Sequence, residues 1–86
     1  MSRSVEVEVL IKQGCHLCED AVAVAREVCA EFPVPLLEHD ITEKPELLAS
    51  FAEEIPVLRI NGQVKDFWRI DPQRLRRLLR EALADS

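Results

Sequence analysis

At 86 residues, 48% of them hydrophobic and 31% charged, the chain is long enough to bury a core and too short for two domains, so residues 1–86 read as one soluble globular domain. Eleven Lys and Arg against sixteen Asp and Glu leave a formal net charge of −5, which repels a phosphate backbone, and no nucleic-acid partner is expected. The longest apolar run, Ala21 to Ala25, is far below the roughly 18 residues of a membrane span, and residues 2–8 lack a signal peptide's apolar stretch, so no membrane partner and a cytoplasmic location are expected.

Val5, Val7, Val9 and Ile11 alternate with Glu6, Glu8, Leu10 and Lys12, a period of two that predicts a strand ending at Gly14. From Leu17 the apolar positions Ala21, Val24, Ala25, Val28 and Phe32 recur at helical spacing, and Pro33 and Pro35 close that first helix. Val34–His39 predicts a second, short strand, and Pro45 opens a short helix running to about Ala52. Pro56–Ile60 and Gln63–Phe67 are two further strands joined by Asn61-Gly62, the pair that a type I′ hairpin turn favours because both positions need positive φ. Trp68 is expected to anchor the last helix. That helix starts with Asp71 as N-cap and Pro72 behind it, and Leu75, Leu78, Leu79, Ala82 and Leu83 share one of its faces. Arg74, Arg76, Arg77 and Arg80 read as its solvated side.

The order is β-α-β-α-β-β-α. Both helical crossovers are long enough for parallel strand pairing and the hairpin adds antiparallel strands, which predicts an α/β fold with a mixed four-stranded sheet and helices on both faces.

Chemistry concentrates in Cys15-His16-Leu17-Cys18. Two intervening residues place the sulfurs one helical turn apart, with roughly 5–6 Å between Cα atoms, a spacing at which a dithiol can close to a disulfide. Cys15, just before the helix, faces free backbone N–H groups and the positive end of the helix dipole, both of which stabilise a thiolate. It is the expected attacking sulfur, and Cys18 in the first turn the resolving one. Cys29 stands 11 residues beyond Cys18, about 16 Å further along a helix, out of disulfide range. A c-type haem motif would need His where Glu19 stands, and a closed zinc site would have to draw on His16, His39 and Cys29. Two other readings stay open: a redox-inactive interaction module, and a zinc or iron–sulfur carrier that shares Cys15 and Cys18 between subunits. No metal or other cofactor is assigned.

The strand ending in Lys12-Gln13-Gly14, the Cys15-x-x-Cys18 pair opening a helix, and Ile55-Pro56-Val57 before a hairpin together resemble the thioredoxin superfamily in its small, bacterial glutaredoxin-like form. The resemblance implies a thioredoxin-like fold, a cis peptide bond at Pro56, and thiol–disulfide oxidoreductase activity through Cys15 and Cys18. It also implies disulfides of proteins or small molecules as substrates, with glutathione or a protein reductase as the thiol reductant. Lys12, His16, Leu17, Ile55 and Pro56 are then the expected substrate contacts, with the backbone of Ile55 offered to an extended segment. Glu54 stands where glutaredoxins usually carry Thr, and the Gly-Gly-x-Asp segment after the hairpin is missing. With Glu19, Asp20, Glu53 and Glu54 expected around the cleft against Lys12, the anion glutathione is expected to bind poorly.

Overall fold

The computed structural model describes residues 5–84, as β1 (Val7–Ile11), α1 (His16–Glu31), β2 (Leu36–Asp40), α2 (Pro45–Phe51), β3 (Val57–Ile60), β4 (Gln63–Phe67) and α3 (Pro72–Ala84). The strands lie in the order β2-β1-β3-β4. β1 runs parallel to β2, with Val7 beside Leu36, and antiparallel to β3, with Val7 beside Ile60. Only the first crossover therefore makes a parallel pair, which corrects the expectation for the second. The seven residues of α2 span about 10 Å, two strand spacings, so the chain passes from β2 across the end of β1 and must run back down as β3.

The alternation along the central strands divides the apolar residues between two layers. Val7, Val9, Leu58 and Ile60 pack against Ala21, Ala25 and Val28 of α1 and Leu75 and Leu79 of α3. On the opposite face Leu10 and Val57 join Ile41, Ile55 and the α2 residues Leu47, Leu48 and Phe51. Helices thus cover both faces, and each fully buried Leu or Val stabilises the fold by roughly 1.5–3 kcal/mol relative to exposure.

Proline shifts two strand starts from where the apolar pattern puts them. β2 begins at Leu36 rather than Val34 because Pro35 has no N–H to donate, although its carbonyl accepts a hydrogen bond from the Val7 N–H at 3.2 Å. β3 begins at Val57 rather than Pro56 for the same reason. The hairpin turn forms as expected, with Asn61 at φ 52° and Gly62 at φ 80°. Asn61 also exchanges two hydrogen bonds of 2.9 Å with the backbone of Glu6, which ties the hairpin to the start of β1.

Arg76 is not merely solvated. Its guanidinium donates to the Glu31 carboxylate at 2.8 and 3.0 Å, joining α3 to the end of α1. That hydrogen bond holds Glu31 below the usual carboxylate range, and the hydroxyl and N–H of Thr42 do the same for Asp40. A carboxylate whose pKa is lowered by folding adds stability above its unfolded pKa, roughly 4, and loses it as pH falls through the folded value. The thermal midpoint is therefore expected to be insensitive to these groups above about pH 5 and to fall below about pH 4. Arg76→Gln should flatten part of that acid slope in a pH series of melts; an unchanged slope would remove Glu31 from the account.

Candidate active site

Gly14, at φ 75°, turns the chain from β1 into α1, a conformation that a side-chain-bearing residue adopts only at a cost. The turn is braced from the β2–α2 connection. The Gln13 N–H donates to Thr42 Oγ1 at 3.0 Å, and the Thr42 N–H donates to Asp40 Oδ1 at 2.9 Å. Cys15 follows as the N-cap of α1, in extended backbone, and its Sγ accepts the Cys18 N–H at 3.1 Å. The first sulfur is half-buried, and the second lies one turn deeper with 3% of its residue surface exposed.

This difference in depth separates the two thiols chemically. Burial, then the hydrogen bond to Cys15, pushes the Cys18 thiol up to about 12, while the Lys12 backbone N–H and ammonium pull the other way. Both sulfurs sit in the α2-side apolar cluster with Leu10, Ile41, Ile55 and Val57. Cys29 belongs to the other cluster, on the α1–α3 side, where burial raises its thiol too. An alkylating agent at neutral pH is therefore expected to label Cys15 at least about tenfold faster than Cys18 or Cys29, as read by mass mapping. Fastest labelling at Cys29 would reverse the assignment.

The Ile55–Pro56 peptide bond is cis. Ile55 is buried in the cluster that holds the two sulfurs. Its own N–H and C=O make no hydrogen bond among the described residues. The residues around it are held in place: the Trp68 N–H donates to the Pro56 carbonyl at 2.8 Å and the Trp68 indole Nε1–H to the Glu53 carbonyl at 2.7 Å.

Two grooves flank the start of α1. The first, of about 470 Å³, brings Lys12, His16 and both cysteines together with Arg26 and Glu38. Arg26 and Glu38 pair at 2.7 Å, and Lys12 makes no ion pair among the described residues. Arg26 was legible as a neighbour, since Cys15, Glu19, Val22 and Arg26 recur along one stripe of the helix. Glu38 and Asp40, which also line this groove, come from β2, and only the strand pairing reveals them. The second groove, of about 340 Å³, lies between α1 and the β4–α3 connection and includes Leu17, Asp20, Val24, Trp68, Arg69 and Asp71.

The expected site residues are thus divided. Lys12 and His16 share the first groove with the sulfurs, Leu17 lines the second, and Ile55 sits beside the sulfurs in the α2-side cluster. The expected acidic rim is dispersed as well. Glu19 lines the first groove and Asp20 the second, while Glu53 and Glu54 line neither. Trp68, expected as a packing anchor, is 51% exposed. Among the described residues no three His, Cys, Asp or Glu side chains converge as metal ligands. No described helix is long and apolar enough to cross a membrane.

Residues 6–80 match the model of the glutaredoxin-like domain (DUF836) family. The uncharacterized protein Rv0508 of Mycobacterium tuberculosis is 31% identical over 81 residues, which cover 88% of this chain and 82% of the relative. Among solved structures, protein XcR50 from X. campestris superposes with a TM-score of 0.74 at 25% identity, over 87% of this chain and 96% of that one. Protein Ne2328 from Nitrosomonas europaea gives 0.73 at 21% identity, over 87% and 91% of the two chains. A malaria parasite thioredoxin-2 gives 0.69 at 19% identity, over 94% and 85%. The last two show the fold alone, and the fold is thioredoxin-like.

Proposed function

The chain belongs to the glutaredoxin-like domain family, and on that premise we propose that it is a thiol–disulfide oxidoreductase in which Cys15 attacks and Cys18 resolves. The observation that carries this reading is the asymmetry of the pair: Cys15 Sγ accepts a backbone N–H at the start of α1 while Cys18 is buried behind it. The Cys15 thiolate attacks one sulfur of a substrate disulfide, that S–S bond breaks, and the departing sulfur leaves as a thiolate that takes up a proton. Cys18 then loses its proton and attacks Cys15 Sγ, which releases the second substrate thiol. The substrate gains two electrons and the protein holds a Cys15–Cys18 disulfide until a thiol reductant, glutathione or a protein reductase, restores it.

The same interactions order the two steps. The charge of Cys15 and its hydrogen bond both raise the Cys18 thiol, so Cys18 stays protonated while Cys15 is a thiolate. Once Cys15 is locked in a mixed disulfide, both influences are gone and the Lys12 N–H and ammonium act against burial alone. Lys12→Gln, which removes the ammonium and keeps the N–H, should therefore prolong the mixed disulfide in an acid-quench time course. An unaltered lifetime would take Lys12 out of the resolving step.

An extended stretch of substrate hydrogen-bonds the free N–H and C=O of Ile55, next to Pro56, in the manner of an added strand. A reducing cytoplasm, where thiol reductants are abundant, suits the cycle. The decisive comparison is turnover of a model disulfide with glutathione and glutathione reductase against turnover with thioredoxin reductase and NADPH. Activity with either supports the reading and names the reductant. Inactivity with both, in protein whose Cys15 and Cys18 fail to form a disulfide, would overturn it in favour of an interaction module.

A further inference from the structure

Cys15 takes its direction from the two residues before it, and the hold on those two comes from the neighbouring strand. Among the described residues, the backbone of residues 13 and 14 gives one hydrogen bond to another part of the fold, from the Gln13 N–H to Thr42 Oγ1 at 3.0 Å. Thr42 is itself well anchored. β2 ends at Asp40, paired with Ile11 of β1, and the next residue, Ile41, is fully buried and donates its N–H to the Ile11 carbonyl at 2.8 Å. The Thr42 N–H then donates to Asp40 Oδ1 at 2.9 Å, its hydroxyl donates to the same carboxylate, and the Gln13 side chain adds a further hydrogen bond to it. The hydroxyl thus accepts from Gln13 and donates to Asp40, a chain in which each bond polarises the next. Threonine suits this position, because branching at Cβ restricts χ1 and with it the direction of Oγ1.

From this chain of hydrogen bonds we infer that Thr42, oriented by Asp40, is a positioning residue for the attacking sulfur. The inference rests on the oxidoreductase reading and deepens it: both residues act on Cys15 through the Gln13–Gly14 turn. Gly14, at φ 75°, has no side chain to restrict its own conformation, so a turn released from Thr42 samples other directions. Cys15 then leaves the extended geometry, φ −105° and ψ 109°, in which its Sγ accepts the Cys18 N–H at 3.1 Å. The stabilisation that a helix start gives an anion falls off within the first turn, and a displacement of about 1 Å is enough to slow a reaction. Asp40 has two effects of opposite sign. Its charge, in the groove that also holds Cys15, opposes a thiolate, whereas its hold on Thr42 favours one. Hydrogen bonds from Thr42 and Gln13 and the charge of Lys44 offset the first effect, so the second is expected to win.

Reaction of the reduced protein with iodoacetamide at neutral pH tests this without any substrate. Thr42→Val keeps the branched shape and removes both hydrogen bonds of the hydroxyl, and Thr42→Ser keeps both. Cys15 is expected to react about fivefold more slowly in Thr42→Val than in the wild type, the effect of one net hydrogen bond, and within about twofold of the wild type in Thr42→Ser. Mass mapping supplies the control: Cys18 and Cys29 should stay at their wild-type rates, since both react faster if the fold itself has loosened. Asp40→Ala should slow Cys15 as well, and the variant carrying both changes should be no slower than Thr42→Val alone, because the two residues act in one chain. With a model disulfide, kcat/KM should fall in Thr42→Val by a factor similar to that of alkylation. An unchanged Cys15 rate in Thr42→Val, a Thr42→Ser variant as slow as Thr42→Val, faster labelling of Cys18 and Cys29, or an Asp40→Ala rate at or above the wild type would overturn the inference. Slower alkylation of Cys15 in Thr42→Val, with no disulfide turned over even by the wild type, would uphold the positioning role while defeating the oxidoreductase reading.

Discussion

A Cys18→Ser variant is expected to accumulate a covalent mixed disulfide through Cys15, and a Cys15→Ser variant to accumulate none. The first sulfur lies at the mouth of a groove shared with Lys12 and His16 and accepts the backbone N–H of residue 18. The donor is a main-chain group, so serine at that position leaves it in place. The attack proceeds, but nothing remains to expel the bound partner. In the reciprocal variant the surviving thiol remains buried, and burial, the largest influence that raises it, still holds it above the ordinary thiol range, so little of it is thiolate. The contrast should be close to all-or-none on a non-reducing gel after incubation with a disulfide-bearing substrate, with mass mapping to identify the linked cysteine. Equal trapping by the two variants would mean that the sulfurs are interchangeable and that their difference in depth has no chemical consequence.

Leu58→Ala is expected to cost about 2–5 kcal/mol, against a total stability of about 5–15 kcal/mol for a domain of this kind. Leu58 is fully buried on the α1–α3 face. It belongs to β3, which is hydrogen-bonded to β1 on one side and β4 on the other. A strand held on both sides cannot move inward to fill a void, so the cavity term adds to the lost transfer energy. The measurement is the urea midpoint at constant m-value. Val64→Ala, at a 43% exposed position of β4, should change stability by no more than about 0.5 kcal/mol. Comparable losses for the two would mean that the described core is not the one that holds the fold.

Most of the architecture was readable because local chemistry and tertiary demand agree. Asn61-Gly62 forms the turn that its positive φ angles favour, the leucines of α3 bury Leu75 and Leu79, and the Cys-x-x-Cys spacing places one sulfur at the cap and the other inside. Strand direction was not readable, because apolar period says which residues face the core and nothing about which neighbour a strand chooses. The direction of β3 turned on the length of α2 and on the end of the sheet at which β2 stops. The site divides in the same way. Lys12, His16 and Arg26 lie within reach of Cys15 through the chain itself, but Glu38 and Asp40 arrive by pairing of β2, and Trp68 by hydrogen bonds to a segment 12 to 15 residues earlier. The nearness in sequence of Glu19 and Asp20 to Cys15 and of Glu53 and Glu54 to Pro56 suggested an acidic rim, whereas Glu53 and Glu54 line neither groove.

β1, the first strand of the chain, lies in the interior of the sheet. Its partner on one side is complete by residue 40, but its partner on the other side spans residues 57–60, and the layer over its Val7–Val9 face is closed only by Leu75 and Leu79. On the ribosome, β1 is therefore obliged to wait: long-range pairing and the loop entropy it costs are met only after residues 57–60, and then Leu75 and Leu79, have been made. During that interval the vicinal thiols are not protected by depth, because the cluster that buries Cys18 needs Ile55 and Val57. A nascent chain stalled before β3 presents both sulfurs to solvent as ordinary, equally accessible thiols. Depth, and with it the proposed division of labour between the two cysteines, is conferred only when translation has passed Ile55 and Val57.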